Sequence, residues 1–163
     1  MLVRQLTASD CGAYRALHRF GMKESPTGFV DVEATDAARP DADVEAMLAR
    51  GDAWGVFEGE RLVGKLTIDA LVYPSLSHTW WIHAVYVHPD ARGSGASGKL
   101  IRAAIAFAQS RGARRIALWV NGLNPHAKAL YERVGFSQTG RIPGGIKVGE
   151  TFTDDVLMTL ELT

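Results

Sequence analysis

Arg92-Gly93-Ser94-Gly95-Ala96-Ser97 sits between an apolar run, Trp80 to Val87 with the turn His88-Pro89-Asp90-Ala91, and a helical pattern from Ser97 to Arg111. A strand, a glycine turn and a helix in that order aim unpaired backbone N–H groups at one point, because the first turn of a helix leaves its donors without intrahelical acceptors. Aligned peptide dipoles add roughly half a positive charge there. Gly93, Gly95 and Gly98 let an anion approach the backbone, and Arg92 adds a fixed charge suited to pyrophosphate. The same residues also permit a plainer reading, in which small side chains only let the helix pack closely on a sheet. Other phosphate motifs fit badly. Lys99 is followed by Leu100, which breaks G-x-x-x-x-G-K-[ST]. Gly93, Gly95 and Gly98 have the dinucleotide spacing, but they lie deep in the chain, and the zone about twenty residues on reads Ile116-Ala117-Leu118-Trp119, without an acid.

Outward from this turn the pattern is regular. Ser97 to Arg111 places Leu100, Ile101, Ala104, Ile105 and Ala108 on one face and turns Lys99, Arg102 and Gln109 away. Trp80 to Val87 is apolar on both faces, which predicts a central buried strand. Arg115 to Val120 reads as another. Upstream, Leu2 to Leu6 is a short strand, and Ser9 or Asp10 caps a helix to about Met22. Glu24 to Arg39 reads as irregular, broken by Pro26, Gly28 and Pro40. Asp41 or Asp43 opens a short helix to Ala49, and Ala53–Phe57 and Leu62–Val72 form a hairpin about Glu58-Gly59-Glu60. Downstream, Asn124 and Pro125 start a helix through Val134 with Gly135 as its cap. Phe136–Ile142 and Val148–Leu162 then close the chain about a glycine-rich turn. The order β-α-α-β-β-β-α-β-α-β-β predicts one mixed α/β sheet of about seven strands, with about four helices on both faces, in a single domain over residues 1–163.

Composition narrows the function. Lysine and arginine balance aspartate and glutamate at 18 each, so bulk charge gives no reason to expect nucleic acid or an anionic membrane as partner. The single cysteine, Cys11, excludes an internal disulfide and a cysteine metal cluster. It lies in the first helix without a nearby histidine and makes a poor acyl-enzyme nucleophile. No apolar run approaches the length of a membrane span, and the start lacks a secretory pattern, so a cytoplasmic protein is expected.

Two segments together resemble one family. Val85 to Ser97 is similar to the acyl-CoA motif [QR]-x-x-G-x-[GA] of the GNAT superfamily of N-acetyltransferases, with Ser97 standing where the family has Gly or Ala. Asn124-Pro125-His126-Ala127-Lys128-Ala129-Leu130-Tyr131, followed by Gly135-Phe136, resembles that family's second motif. Glu24-Ser25-Pro26 and Asp155-Val156-Leu157-Met158 also look like its bacterial members. The resemblance implies an α/β fold of the acyl-CoA N-acyltransferase type, with a V-shaped opening between the Trp80–Val87 and Arg115–Val120 strands. Pantetheine of acetyl-CoA would lie there as an added strand on backbone groups of Val85, Tyr86 and Val87. The N–H groups of Arg92, Gly93, Ser94, Gly95, Ala96 and Ser97 would take the pyrophosphate, with Asn124 and Lys128 as further cofactor contacts. No metal is implied.

It also implies acetyl transfer to a primary amine of a small molecule or peptide, by direct attack in a ternary complex. Tyr131 would assist the leaving thiolate. Its phenol, near pKa 10, is a weaker acid than a thiol near 8.5, so a hydrogen bond costs less than full proton transfer, which is uphill by roughly 2 kcal/mol. Tyr131 also shares an apolar helical face with Ala127, Leu130 and Val134, and Asn124 is first a helix cap. Many members carry a glutamate base on the strand before the turn; here Trp81 and His83 lie on that face by the period-two rule, together with Val85 and Val87. His83 is the best remaining base, with a water chain, Asp69, His78 or Glu33 as alternatives. A lysine-like acceptor is neutral in only about one molecule in a thousand at pH 7, a cost of roughly 4–5 kcal/mol, whereas an α-amine faces about 1 kcal/mol. Acceptor choice should come from Glu24–Arg39, with its many acids, from Tyr73–Thr79 and from Gly140–Thr151. The chain would act as a monomer or homodimer. The alternatives are a catalytically silent acyl-CoA-binding domain and a nucleotide-binding domain of another kind.

Overall fold

The helix after the glycine turn packs as its spacing predicts. Leu100, Ile101, Ala104 and Ala108 are fully buried along one stripe of α4 (Ala96–Ser110), against a seven-stranded sheet ordered β1-β2-β3-β4-β5-β7-β6. The structure is a computed structural model that describes residues 1–29 and 33–163 and, for Glu33 and Ala34, only the backbone. The strands are β1 (Leu2–Gln5), β2 (Ala53–Glu58), β3 (Arg61–Ala70), β4 (Thr79–Val87), β5 (Arg115–Asn121), β6 (Ser137–Val148) and β7 (Thr151–Glu161). The other helices are α1 (Cys11–Glu24), α2 (Glu33–Ala38), α3 (Asp41–Ala49) and α5 (Pro125–Val134). Every neighbouring pair is antiparallel except β4 and β5.

The sheet has a core on each face, as a sheet covered by helices on both sides requires. On one face α4 packs over Val56, Leu66, Ile68, Ile82 and Val87, and Tyr131 of α5 joins them. On the other, Tyr14 and Leu17 of α1 and Val44 and Leu48 of α3 pack with Leu6, Phe57 and Tyr86. Gly64 of β3 lies opposite Val87, where an added Cβ would come within 2.7 Å of Val56 and 2.9 Å of Val87. Close approach, not backbone torsion, demands glycine there.

Three expectations need correction. Residues 24–39 are not irregular throughout: α1 runs on to Glu24 and α2 occupies Glu33–Ala38. The added helix, which makes five in place of about four, is held from outside. Arg15, itself buried, donates to the carbonyls of Asp36 (2.8 Å) and Arg39 (2.7 Å) and so satisfies the end of α2. The closing hairpin does not turn at its glycine-rich stretch. Pro143-Gly144-Gly145 lies inside β6 as a bulge between the pairs Ile142–Asp155 and Ile146–Thr153, and Gly149 supplies the turn. Asp154 builds this bulge by accepting from Gly144 N–H and from Arg141, both at 3.0 Å. Finally, β4 is central but not wholly buried, since His83 is exposed and Trp80 and Trp81 are half-buried.

Gly64→Ala should destabilise the fold by about 1–3 kcal/mol through overpacking beneath Val87. A urea midpoint unchanged from wild type would contradict the close approach.

Candidate active site

The parallel pairing of β4 with β5 holds only at Thr79–Arg115, Trp80–Ile116 and Trp81–Ala117. Beyond Trp81 the strands part. The cause lies on β4's other edge, where the register with β3 passes from Thr67–His83 to Lys65–Tyr86 and leaves Ala84 and Val85 without partners. Ala84 has φ 50°, and no other non-glycine among the described residues has positive φ. This β-bulge bends the strand. It also overturns the period-two assignment of faces. His83 and Tyr86 face α1, across from Thr67 and Lys65, whereas Val85 and Val87 join Ile82 on the α4 face.

The parted strands open a cleft of about 1020 Å³ whose walls include His83, Val85, Gly93, Ser97, Asn124 and Tyr131. At one end the glycine turn presents its donors. Gly93 and Gly95 hold φ of 76° and 83°, which a side chain would strain. The first helical bond of α4 runs from Lys99 N–H to Gly95. Among the described residues, none of the N–H groups of Gly93, Ser94, Gly95, Ala96, Ser97 and Gly98 donates to another group. The Arg92 N–H is different: it donates to Pro89 at 3.0 Å.

The side chains of the turn serve the scaffold. Ser94 Oγ donates to the Ala91 carbonyl at 2.6 Å, and Ala96 is buried. Arg92 does not point a free charge into the cleft. Its guanidinium grips Glu24 at the end of α1 (3.0 and 2.7 Å) and the Val87 carbonyl (3.2 Å). Tyr86 OH donates to the same carboxylate at 3.0 Å, so Tyr86 acts on the scaffold side of the sheet, its phenol pushed up to about 12 by burial and then by Glu24. Arg92 holds the Glu24 carboxyl below the ordinary glutamate range; burial opposes this and the Tyr86 hydroxyl assists it.

Deeper in the cleft, Tyr131 is buried and edge-on to Phe136 at 5.8 Å. Its hydroxyl makes no hydrogen bond to any described residue, and burial pushes its ionisation up. The phenol therefore stays protonated, and stays a donor, across ordinary pH. Asn124 is the cap that its sequence position predicts, accepting from Ala127 N–H at 3.1 Å, and it also lines the cleft. Lys128 reaches Gln138 at 2.9 Å and is not among the residues lining the cleft. His83 stands 3.6 Å from Asp69, both about half exposed. His78 does not line the cleft, and the Glu33 side chain lies outside the described residues.

Sequence reasoning missed three residues here. Asn121, buried at the end of β5, donates to Thr27 at 3.0 Å and accepts from Leu123 N–H, tying the segment after α1 to the cleft wall. Asp155 borders both the cleft and an adjoining chamber of about 520 Å³ that Arg19, Lys23 and Lys147 also line. Burial raises its carboxyl. Lys65 lies fully buried behind the bulge; a lone lysine within Leu62–Ile68 was the available signal. The acids of residues 24–45 form less of an open patch than their number implies, because Asp36 binds Arg19 (2.6 Å), Asp41 binds Arg15 (3.0 Å) and Glu24 binds Arg92.

A parallel strand pair prised apart beside a helix N-terminus turns strand-edge groups and free helix donors toward one cleft. The model of the acetyltransferase (GNAT) family matches residues 15–136, and the chain belongs to that family. The L-methionine sulfoximine/L-methionine sulfone acetyltransferase of Pseudomonas aeruginosa is 30% identical over 125 residues, covering 77% of this chain and 59% of that protein. An uncharacterized N-acetyltransferase of Methanocaldococcus jannaschii is 39% identical over 67 residues, 41% of this chain and 30% of that one. The match thus spans less than two thirds of either relative. Among solved structures, YncA of Salmonella typhimurium, described with acetyl-CoA as its cofactor, superposes with TM-score 0.86 at 20% identity, over 100% of this chain and 94% of that one. The ribosomal-protein-alanine N-acetyltransferase of Brucella melitensis gives 0.85 at 18%, over 99% and 100%. At such identities these likenesses concern the fold.

The Glu24 carboxyl, depressed in the folded state, contributes stability above the ordinary glutamate pKa of about 4.3, and that contribution is lost as pH falls through its lower folded value. Glu24→Gln should therefore lower the urea midpoint at pH 7, and the difference from wild type should shrink as pH falls from about 5 to about 3. A difference independent of pH would contradict the ion pair.

Proposed function

We propose that the chain is an acetyl-CoA-dependent N-acetyltransferase in which a primary amine of a small molecule or peptide attacks the thioester directly. The observation that carries this reading is that the free N–H groups at α4 and the unpartnered Tyr131 hydroxyl border one cleft, opened by the parting of β4 and β5. The residues fit acetyl-CoA. The donors of Gly93 to Gly98 suit a pyrophosphate, and backbone groups of Val85 and Val87 suit the pantetheine amides as an added strand would. When bound, acetyl-CoA would supply a thioester whose C–S bond breaks as the C–N bond to the amine forms, with the electron pair leaving on sulfur and the amine's proton passing to a base.

This chain's residues then divide the work. Arg92 fixes the turn to α1 and leaves the charge of the phosphates to backbone donors and the helix dipole. Tyr131, held protonated by burial, donates a hydrogen bond to the sulfur as its charge grows. His83, with Asp69 beside it, takes the amine's proton directly or through water. The acceptor enters from the chamber beside α1 and the β6–β7 hairpin, where the Asp155 carboxylate meets an incoming ammonium. Glu24–Arg39 and Gly140–Thr151 border that chamber, and Tyr73–Thr79 does not.

The test is CoA release from acetyl-CoA across amino acids, polyamines, aminoglycosides and peptide N-termini, with mass spectrometry of the product. Amino acids head the panel, because the Pseudomonas relative is named for acetylating L-methionine sulfoximine and L-methionine sulfone. Acetyl-CoA binding without turnover on any class would favour a silent acyl-CoA-binding domain. With an amine that turns over, Tyr131→Phe should lower kcat about 100-fold with little change in the KM for acetyl-CoA; an unchanged kcat would remove Tyr131 from the chemistry. Asp155→Asn should raise the KM of a cationic acceptor roughly tenfold, and a KM equal to that of wild type would remove its role.

A further inference from the structure

β5 runs through the interior of the sheet, between β4 and β7. Six of its seven residues are buried or half-buried, and the seventh, Trp119, is 41% exposed. Ile116, Leu118 and Val120 belong to the core under α4, so alternation turns Ala117, Trp119 and Asn121 to the opposite face. That is the face of His83. The pairing of β4 with β5 ends at Trp81–Ala117, and His83 and Trp119 are the next positions on that face of the two parted strands. Both line the cleft. Trp54 and Trp80 pack their indoles on Phe107, whereas no ring among the described residues packs on that of Trp119.

Register with β7 supplies the surroundings. Trp119 lies opposite Leu157, and Asn121 lies opposite Asp155. The wall therefore has an apolar row and, two residues along, a polar row, about 7 Å apart at the rise of a strand. Asn121 is committed to the Thr27 carbonyl and the Leu123 N–H, which leaves the Asp155 carboxylate as the charged end of its row. A single exposed apolar side chain on an outer surface means little. This one stands inside a cleft, on an interior strand, across the gap from His83 and beside Asp155. We infer that Trp119 is a specificity-determining residue and that the acceptor is a primary amine borne on an aromatic body, which stacks against the indole. The inference rests on the acetyltransferase reading of the site. Asp155 takes the ammonium as it arrives, the ring lies over Trp119 and Leu157, and a short linker spans the two rows. A flat ring suits an indole because offset stacking adds to the area that both lose to water. A small amine covers no apolar surface there.

The experiment compares primary amines in pairs that differ only in the body: phenylalanine with alanine, phenethylamine with ethylamine, and phenylalanyl-alanine with alanyl-alanine. CoA release at saturating acetyl-CoA gives kcat/KM for each in wild type, Trp119→Ala and Trp119→Phe. Wild type should favour the aromatic member of any pair that turns over by about tenfold or more. Trp119→Ala should bring that ratio to within about twofold of unity by raising the KM of the aromatic amine, with the KM for acetyl-CoA within about twofold of wild type. Trp119→Phe should keep most of the ratio. A wild-type ratio near or below unity overturns the inference. So does a ratio that Trp119→Ala leaves unchanged, because a tryptophan that only supports the strand or covers the cosubstrate does not distinguish acceptors. If Trp119→Ala does not fold, nitrogen-15 NMR of CoA-bound wild type decides. Phenethylamine should shift the indole N–H signal that Trp119→Phe removes, and ethylamine should not; equal shifts, or none, overturn the inference. Turnover of no amine, with acetyl-CoA bound, overturns the acetyltransferase reading instead, and this inference with it.

Discussion

The site depends on an interruption of hydrogen bonding. β4 and β5 pair over their first residues and then separate, and nearly everything functional is arranged around that separation. Parallel strands in a buried sheet ordinarily continue pairing, because each abandoned N–H or carbonyl must find another partner. Here the bulge at Ala84 redirects β4, and the strand is held on its β3 side at Lys65–Tyr86 and Gly64–Val87. The gap is thus a fixed feature of the sheet, shaped before any ligand arrives. A ligand that brings its own amides can take up backbone groups that the sheet has left free.

Around the gap, charged residues divide into those that build and those left over for chemistry. Arg15, Arg19 and Arg92 use their guanidinium groups on carboxylates and carbonyls of α2, α3 and the end of α1. A planar fork with several donors suits such bracing. These contacts hold the segment after α1 over the cleft and consume much of what looks, in the sequence, like an acidic surface. Among the described residues, His83, the Tyr131 hydroxyl and Asp155 border the cleft without a tie to these arginines.

Legibility in the sequence follows the range of the determining interaction. The glycine turn, α4 and the capped start of α5 are local, so Gly95, Asn124 and Gly135 announce them in a few residues. The seven strands and their order along the chain are likewise plain from alternation and breakers. Non-local terms hide the rest. Period two places Trp81, His83, Val85 and Val87 together, but the bulge that separates them depends on register against β3. The helix α2 depends on Arg15, and the bulge in β6 on Asp154, each distant in sequence. Arg92 beside the glycine turn invites the reading of a free charge in the cleft, and only the fold brings Glu24 within reach. The glycine-turn end of the cleft is mostly backbone, hence readable, and the chamber beside it is assembled from separate segments.

The bulge in β6 also bears on the sheet's outer margin. β6 is an edge strand of 12 residues, and its outer backbone is a template on which another chain could add. Pro143 removes a donor from that margin, and the Asp154-bound kink at Gly144 breaks its line. What remains is two short runs out of register with each other, and a foreign strand cannot pair with both. The same kink that brings Ile146 against the cleft therefore leaves the open edge without one continuous run of backbone donors and acceptors.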